Sequence, residues 1–366
     1  MSGAPPRAPR LRPTLERVRT PDGHLLLVGG PDGDAYELAG DADQLDAFVS
    51  LLDGTRTVEQ IATELGTVSR EEITEALGEL LAAGLVDDAA DDARWLSALD
   101  IERFDRQLRY FGDVAPGAPR ARAQARLGEA SVAVLGLGGL GGMAALLLTA
   151  AGLGRIVGVD DDRVELSNLA RQVTYDEADV AALKTEATER RLGRLNGALG
   201  FEGHQRAIAS EDDVAALVAG TDLVIAAVDR PAYQVDSWID RACFRLRIPY
   251  IGMSQHPPLI RVGPLLVPGR TGCHACRLAE AERAEPLHHA LVAAAAPQSP
   301  AASYAPACGV IGALVANEAI AYLTGLHEPT TLGAAIVLDL RTLEVERVAV
   351  PRRPGCEVCA HGAASG

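Results

Sequence analysis

The stretch that decides the fold is Ser131-Val132-Ala133-Val134-Leu135-Gly136-Leu137-Gly138-Gly139-Leu140-Gly141-Gly142. An apolar run, Val132–Leu135, leads straight into a Gly136-x-Gly138-Gly139-x-Gly141 turn, and a second apolar run follows. The pattern predicts a buried strand, a tight turn and the start of a helix. Glycines suit that turn because a phosphate can approach bare backbone amides and the positive end of the helix dipole. Gly136, Gly138, Gly139 and Gly141 are therefore candidate nucleotide contacts. Ser131–Gly154 has no charged residue for 24 positions, long enough to span a bilayer. Seven of those positions are glycine, most of them in one cluster between apolar halves, so strand–turn–helix is the better reading.

Outward from this stretch the apolar runs alternate between two periods. Strands are predicted at 132–135, 156–160, 223–227, 249–252, 261–267 and 334–339, and helices at about 141–152, 180–195, 231–246 and 309–325. This βαβ alternation defines an α/β class with a doubly wound, Rossmann-like mixed sheet. Residues 279–303, rich in Ala, Pro and polar residues, read as a crossover loop. A second uncharged stretch, His289–Asn317, is broken by Pro297, Pro300 and Pro306. The expectation is a soluble, cytoplasmic protein with no membrane partner.

The first part of the chain follows a different pattern. Residues 1–13 are Pro/Arg-rich with no apolar core, and read as a disordered tail. Residues 14–38 alternate short apolar runs with turns, as in a three-strand meander. Thr57…Gln60 and Ser69…Glu72 are capping boxes that open two helices, and Gly84 stops the second. Strands plus a helix cluster over 14–90 describe a winged-helix α+β domain. A 91–102 linker then leads to a second domain over 103–360, with a 361–366 tail.

Charge narrows the partners. The 366 residues include 34 basic and 50 acidic ones, a net charge of −16. Residues 14–90 alone carry 4 Arg against 17 acids, which argues against nucleic acid, because phosphate contacts need cations. An exposed strand edge accepting an extended peptide is the better use of such a module. Of the 34 basic residues 33 are arginine, and Lys184 is the single lysine. A compact ammonium is not interchangeable with a guanidinium fork, so the lysine that survives this bias is a candidate functional residue.

The residues after the glycine turn refine the ligand. Asp160 closes the second predicted strand, where an acid can hold ribose hydroxyls. Ser167-Asn168-Leu169-Ala170-Arg171-Gln172 follows, then Lys184, then a strand that runs into Asp229. Upstream lies Arg103-Phe104-Asp105-Arg106-Gln107. An NAD dehydrogenase shares the glycine fingerprint, but hydride transfer has no use for several converging cations. A triphosphate has, because departing pyrophosphate concentrates negative charge. Asp229, past a strand's carboxyl end, suits Mg²⁺. Cys273-x-x-Cys276 and Cys356-x-x-Cys359 each have the bite for one tetrahedral ion, and four thiolates make a closed, structural Zn²⁺ site.

This constellation resembles the ThiF/MoeB/HesA adenylating family over about 103–360. The resemblance implies a ThiF-type adenylating fold that uses ATP, with Gly138, Gly139 and Gly141 at the phosphates and Asp160 at the ribose. It further implies Asn168, Arg171 and Lys184 on the phosphates, Asp229 on Mg²⁺, and Arg106 reaching the γ-phosphate from the partner subunit of a homodimer. It also supports zinc on the four cysteines. Relatives that pass their product to sulfur often carry a crossover-loop cysteine, whose position falls near Gln298; no cysteine occurs from 277 to 307. Cys308 and Cys243 read as core.

A branch without that cysteine is the microcin C-type peptide-adenylating one. Ala227-Val228-Asp229-Arg230-Pro231, Trp238, Pro249-Tyr250-Ile251, Gly263–Cys273 and Ala302–Pro306 resemble it. The N-terminal module resembles PqqD-like peptide-recognition domains at Tyr36–Leu38, Leu52–Ala62 and Leu80…Gly84-Leu85-Val86. Together these resemblances imply ATP-dependent adenylation of the C-terminus of a ribosomally made precursor peptide whose leader the N-terminal domain holds, with pyrophosphate released. The branch further implies a second adenylation through a succinimide where the peptide ends in asparagine. The alternatives are a sulfur-carrier or ubiquitin-like protein activator, a non-catalytic leader-peptide delivery protein, and the dehydrogenase.

Overall fold

The computed structural model describes residues 6–29, 34–232, 234–284 and 302–359. The chain divides into two compact units, Met1–Arg126 and Leu127–Gly366.

In the first unit β2 (Glu16–Arg19), β3 (Leu25–Gly29) and β4 (Asp34–Leu38) form the expected antiparallel meander. The helices Ala42–Ser50, Val58–Leu65 and Arg70–Ala82 follow. Both capping boxes close reciprocally, Thr57 with Gln60 and Ser69 with Glu72, satisfying amides that a helix start leaves orphaned. Gly84 takes φ +68° after the third helix, a conformation other L residues rarely adopt. Leu25, Leu27, Ile61, Ile73 and Leu77 fill the core.

The expected 1–13 tail is corrected from residue 6 onward. β1 (Pro9–Leu11) pairs antiparallel with β5 (Val86–Asp88). The Leu11 amide donates to the Leu52 carbonyl at 2.7 Å, and the Arg10 guanidinium meets Asp87 at 2.9 Å and Asp92 at 2.8 Å. The tail's arginines are drawn to an acidic segment some eighty residues away, a pairing that composition cannot reveal. The 91–102 linker is largely helical, as Ala89–Trp95 and Ala98–Arg103. The helix Asp105–Val114, expected in the second domain, groups with the first unit. The cause is local: Thr14 Oγ1 donates to Asp113 at 2.6 Å, and Arg120 meets Asp92 at 3.1 Å.

The second unit is built on one sheet. Its strands are β6 (Ser131–Leu135), β7 (Arg155–Val159), β8 (Gly200–His204), β9 (Leu223–Ala226), β10 (Tyr250–His256), β11 (Leu259–Leu266), β12 (Ala334–Asp339) and β13 (Val345–Ala349). Their spatial order is β13-β12-β11-β10-β9-β6-β7-β8. The run β8-β7-β6-β9-β10 is parallel, and β10 through β13 pair antiparallel. This is the doubly wound mixed sheet expected. The chain reverses direction across the sheet between β6 and β9, and in such sheets ligands bind outside the carboxyl ends of the strands at that point.

One face of the sheet is covered by the helices Gly139–Ala151 and Ala305–Thr324. Leu148, Ile311 and Val315 are fully buried there, each contributing about 1.5–3 kcal/mol relative to exposure. The Ala305–Thr324 helix is long and apolar enough to cross a membrane, but it is laid against the Gly139–Ala151 helix, and a Cβ on Gly312 would stand 2.5 Å from Met143. The helices Glu211–Val218 and Gln234–Leu246 cover the other face.

Sequence patterning missed β8, β13 and the helices Glu211–Val218 and His274–Ala284. β8 contains two glycines, and β13 is exposed at all five positions, so neither alternates between apolar and polar. The 279–303 loop is corrected over 279–284, which is helical. Residues 285–301, with the position at Gln298, and the 361–366 tail lie outside the described residues.

Candidate functional site

The glycine turn lies where β6 meets the switch point, and its geometry explains each glycine. Gly136 has φ +93°, and a Cβ there would stand 2.6 Å from the Ala227 carbonyl oxygen just past β9. A Cβ on Gly141 would meet the Gly136 carbonyl oxygen at 1.9 Å, and one on Gly139 the Cys308 sulfur at 2.7 Å. Gly138 caps the Gly139–Ala151 helix, and no side chain accepts from its first turn. Those amides are therefore available to an anion.

Asp160, one residue past β7, is tied into the turn. Its Oδ2 accepts from the Leu137 amide at 2.8 Å and its Oδ1 from the Asp162 amide at 3.0 Å. Lys184 is 5 % exposed and its Nζ stands 2.7 Å from Asp162 Oδ2 and 3.7 Å from Asp160 Oδ1. Burial lifts the Asp160 carboxyl above the ordinary carboxylate range, against the opposing pull of Lys184 and two backbone amides. The single lysine thus sits as a buried cation beside the glycine turn. Tyr175 braces the arrangement, donating to the Leu137 carbonyl at 2.7 Å.

Asn168 is buried and closes a short turn, its Oδ1 accepting from the Glu165 amide at 3.2 Å. Arg171 is half-buried. Its Nη1 donates to the Ser167 carbonyl at 3.2 Å, and its own carbonyl stands 3.2 Å from where a Cβ on Gly139 would lie. Asp229 is exposed three residues beyond β9. Gly136, Gly139, Gly141, Asp160, Arg171 and Lys184 are thus brought together at one edge. Arg106 belongs to the other unit; its side chain is 91 % exposed, with Asp105 at 3.9 Å.

ATP fits this edge on the protein's own features: bare backbone at the turn, an uncapped helix start and a buried ammonium. Gln172 Oε1 and Thr174 Oγ1 are buried without a hydrogen-bond partner among the described residues. Gln172 Nε2 lies 3.8 Å from a Cβ position on Gly138, so this glutamine flanks the turn. Its place in the Ser167–Gln172 motif was the sequence signal. Asp162, the nearer partner of Lys184, went unremarked because an exposed acid in an acidic chain carries no signal.

The four cysteines converge. Cys273 and Cys276 sulfurs are 3.7 Å apart, Cys273 and Cys356 3.5 Å, and Cys276 and Cys359 3.5 Å. These separations exclude disulfides, which need about 2.05 Å. They match a tetrahedron of sulfurs about 2.3 Å from a central Zn²⁺, whose edges are about 3.8 Å. All four are buried, and the Arg353 amide donates to Cys276 Sγ at 3.3 Å. Asp240 organises the first pair by accepting from the His274 amide at 3.0 Å, the Ala275 amide at 3.1 Å and Tyr250 Oη at 2.8 Å. His274 is held down to about 3 by burial and by Arg277 and Arg261, and its Nδ1 accepts from Arg277 at 3.2 Å.

A doubly wound sheet with an uncapped glycine turn and a buried lysine beside it defines a nucleotide-binding class of α/β protein, and the separate cluster of four buried cysteines has the geometry to hold a metal ion. The ThiF family signature matches residues 104–358, and the chain belongs to that family. The sulfur carrier protein ThiS adenylyltransferase of Escherichia coli K12 is 32% identical over 260 residues, covering 71% of this chain and 95% of the relative. The molybdopterin-synthase adenylyltransferase of the same organism is 30% identical over 264 residues, covering 72% and 98%. Among solved structures, the microcin C7 biosynthetic enzyme MccB of E. coli, in complex with N-formylated MccA, superposes with a TM-score of 0.74 at 23% identity, covering 96% of this chain and 99% of that one. PaaA superposes with a TM-score of 0.74 at 22% identity, covering 92% and 98%. At that identity the likeness is one of fold, and it extends through the N-terminal unit.

Proposed function

We propose that this protein adenylates the C-terminus of a ribosomally synthesised precursor peptide, using MgATP and releasing pyrophosphate, in peptide natural-product biosynthesis. The observation that carries the reading is the sole lysine, buried between Asp160 and Asp162 beside the uncapped glycine turn. The glycine-turn amides, Asn168, Arg171 and Lys184 bind the phosphates, Asp160 the ribose, and Asp229 the magnesium. Arg106 completes the site from a second copy in a homodimer. The peptide's carboxylate oxygen attacks the α-phosphorus, the α–β phosphoanhydride bond breaks, and pyrophosphate leaves with the electron pair. A C-terminal carboxyl, with an ordinary pKa of about 3.3–3.7, is ionised at neutral pH, so no general base is needed. Catalysis is then positioning and charge neutralisation. Zn²⁺ on the cysteines is structural.

The N-terminal unit acts as a PqqD-like module. It takes up the leader by strand addition at the edge of its meander, in a cytoplasmic setting that keeps the thiols reduced. The absence of a cysteine from 277 to 307 supports an acyl-adenylate or its amide product over a thioester or persulfide. Incubation with MgATP and candidate precursor peptides, read by mass spectrometry for an AMP adduct, tests the reading. The expected result is an adduct that Lys184→Ala abolishes while peptide binding persists; a Lys184→Ala chain that still adenylates refutes the site.

A second reading is activation of a sulfur-carrier protein, favoured by the identity with the ThiS adenylyltransferase. ATP–pyrophosphate exchange that depends on a Gly-Gly-ended carrier would establish it in place of the first.

A further inference from the structure

The segment Arg171–Thr174 lies against the glycine turn and the first turn of the Gly139–Ala151 helix at three places. The Arg171 carbonyl stands 3.2 Å from where a Cβ on Gly139 would lie, Thr174 Oγ1 2.7 Å from one on Gly142, and Gln172 Nε2 3.8 Å from one on Gly138. The backbone of Gln172 is fully used. Its amide donates to the Asn168 carbonyl at 2.9 Å, and its carbonyl accepts from the Tyr175 amide at 3.1 Å. Tyr175 Oη in turn donates to the Leu137 carbonyl at 2.7 Å. Gln172 is thus fixed beside the turn through both of its backbone groups.

The side chain is the part left over. Gln172 is 3 % exposed, its Oε1 is buried without a partner, and its carboxamide makes no hydrogen bond among the described residues. Taking a carboxamide out of water is costly unless it is bonded. Packing alone would be served by a methionine of similar length without that cost. The two ends of the amide differ in what they can serve: Oε1 accepts and Nε2 donates. Nε2 is the end at Gly138, the cap of a helix whose first amides no side chain accepts from. Unsatisfied backbone donors with a side-chain donor beside them mark the place of an acceptor, and phosphate oxygens are the acceptors that helix starts take.

We propose that Gln172 Nε2 donates to a nonbridging oxygen of the nucleotide's α-phosphate. The inference rests on the adenylation reading for the ribose at Asp160. Asp160 Oδ2 holds the Leu137 amide at 2.8 Å, and Gly138 is the next residue, about 3.8 Å on from Cα to Cα. The phosphate nearest the ribose is the α-phosphate, so that is the one brought to Gly138. Its phosphorus is the atom the peptide carboxylate attacks, and its nonbridging oxygens carry charge while pyrophosphate leaves. A donor already fixed at such an oxygen needs no reorganisation at the moment of reaction, so it serves the transition state more than the ground state.

The test uses the full chain, calorimetry with MgATP, AMP and adenosine, and the variants Gln172→Met and Gln172→Glu. AMP carries the α-phosphate alone, and adenosine carries none. Gln172→Met should weaken AMP and MgATP binding about tenfold and leave adenosine within about twofold. Gln172→Glu has the shape of the parent but sets a carboxylate against the phosphate, so it should weaken both further; it decides alone if Gln172→Met does not fold. Because the free chain loses only an unbonded amide, Gln172→Met should melt no lower than the parent. Adduct formation at saturating MgATP should fall by about a hundredfold. AMP affinity unchanged in the variants overturns the proposal. So does an equal loss of adenosine affinity, which would make Gln172 a wall of the nucleoside pocket. A Gln172→Met chain that melts well below the parent while AMP affinity holds shows a structural amide and overturns it too. A parent that binds AMP, loses it in the variants and yet adenylates no peptide supports the Gln172 assignment and refutes the adenylation reading. A parent that binds neither nucleotide overturns both.

Discussion

The four-cysteine cluster and the glycine turn are built from opposite materials. The cluster is closed: four buried sulfurs, 3.5–3.7 Å apart in three pairs, would satisfy a tetrahedral ion with nothing left over. The turn is open. Its amides are uncapped, its lysine is held by two carboxylates, and Gln172 and Thr174 keep buried oxygens without partners among the described residues. A site complete in itself stabilises the fold, whereas one left incomplete is arranged for something that comes and goes.

The largest expected effect breaks the closed side. Cys276→Ser or Cys356→Ser should release the metal and lower the unfolding midpoint sharply, because structural zinc binding is coupled to folding. Zinc content and thermal unfolding of parent and variant measure it, and a variant that melts with the parent would remove the cluster's structural role.

Next is the open side. Gly141→Ala places a methyl 1.9 Å from the Gly136 oxygen, so the turn must deform. MgATP binding should fall by about a hundredfold or more while the zinc site persists. Loss of both together would show that the sites are not separable.

Lys184→Ala sharpens the comparison further. It removes the buried cation from Asp160 and Asp162, so it should cost stability as well as adenylation, about 1–3 kcal/mol since Asp162 is 67% exposed. Denaturant unfolding reads the first effect and adduct formation the second. An unchanged midpoint would mean the ion pair is ornamental in the free chain.

The smallest effect is in pH. The folded state holds the Asp160 proton more tightly than the unfolded chain does, because burial raises its pKa. The group therefore favours folding below the ordinary carboxylate pKa, and that contribution is lost as pH rises through the raised value. Asp160→Asn should gain stability relative to the parent across that window. Parallel urea titrations at several pH values measure the gap, and a gap that does not move with pH would contradict the sign.

Much of this was legible in order along the chain. The turn at Gly136–Gly141, both capping boxes and the core strands were anticipated because their causes lie within a few residues: a missing Cβ, a hydroxyl three positions before an acceptor, an apolar run. The N-terminal strand was not, because Pro9–Leu11 looks disordered until β5 and the acids at 87–92 come beside it.

From its sequence alone this chain is a doubly wound α/β protein with an anion-binding turn, one conspicuous lysine and two cysteine pairs, since each of these is written in residues that are neighbours. Tertiary structure decided which charges answer one another: Lys184 with Asp162, Arg10 with Asp87 and Asp92, and Asp240 with the amides beside Cys273. The reason is physical. Backbone conformation is set by local sterics, whereas electrostatic pairing depends on distance and burial, which exist only once the sheet has brought distant segments to a common edge.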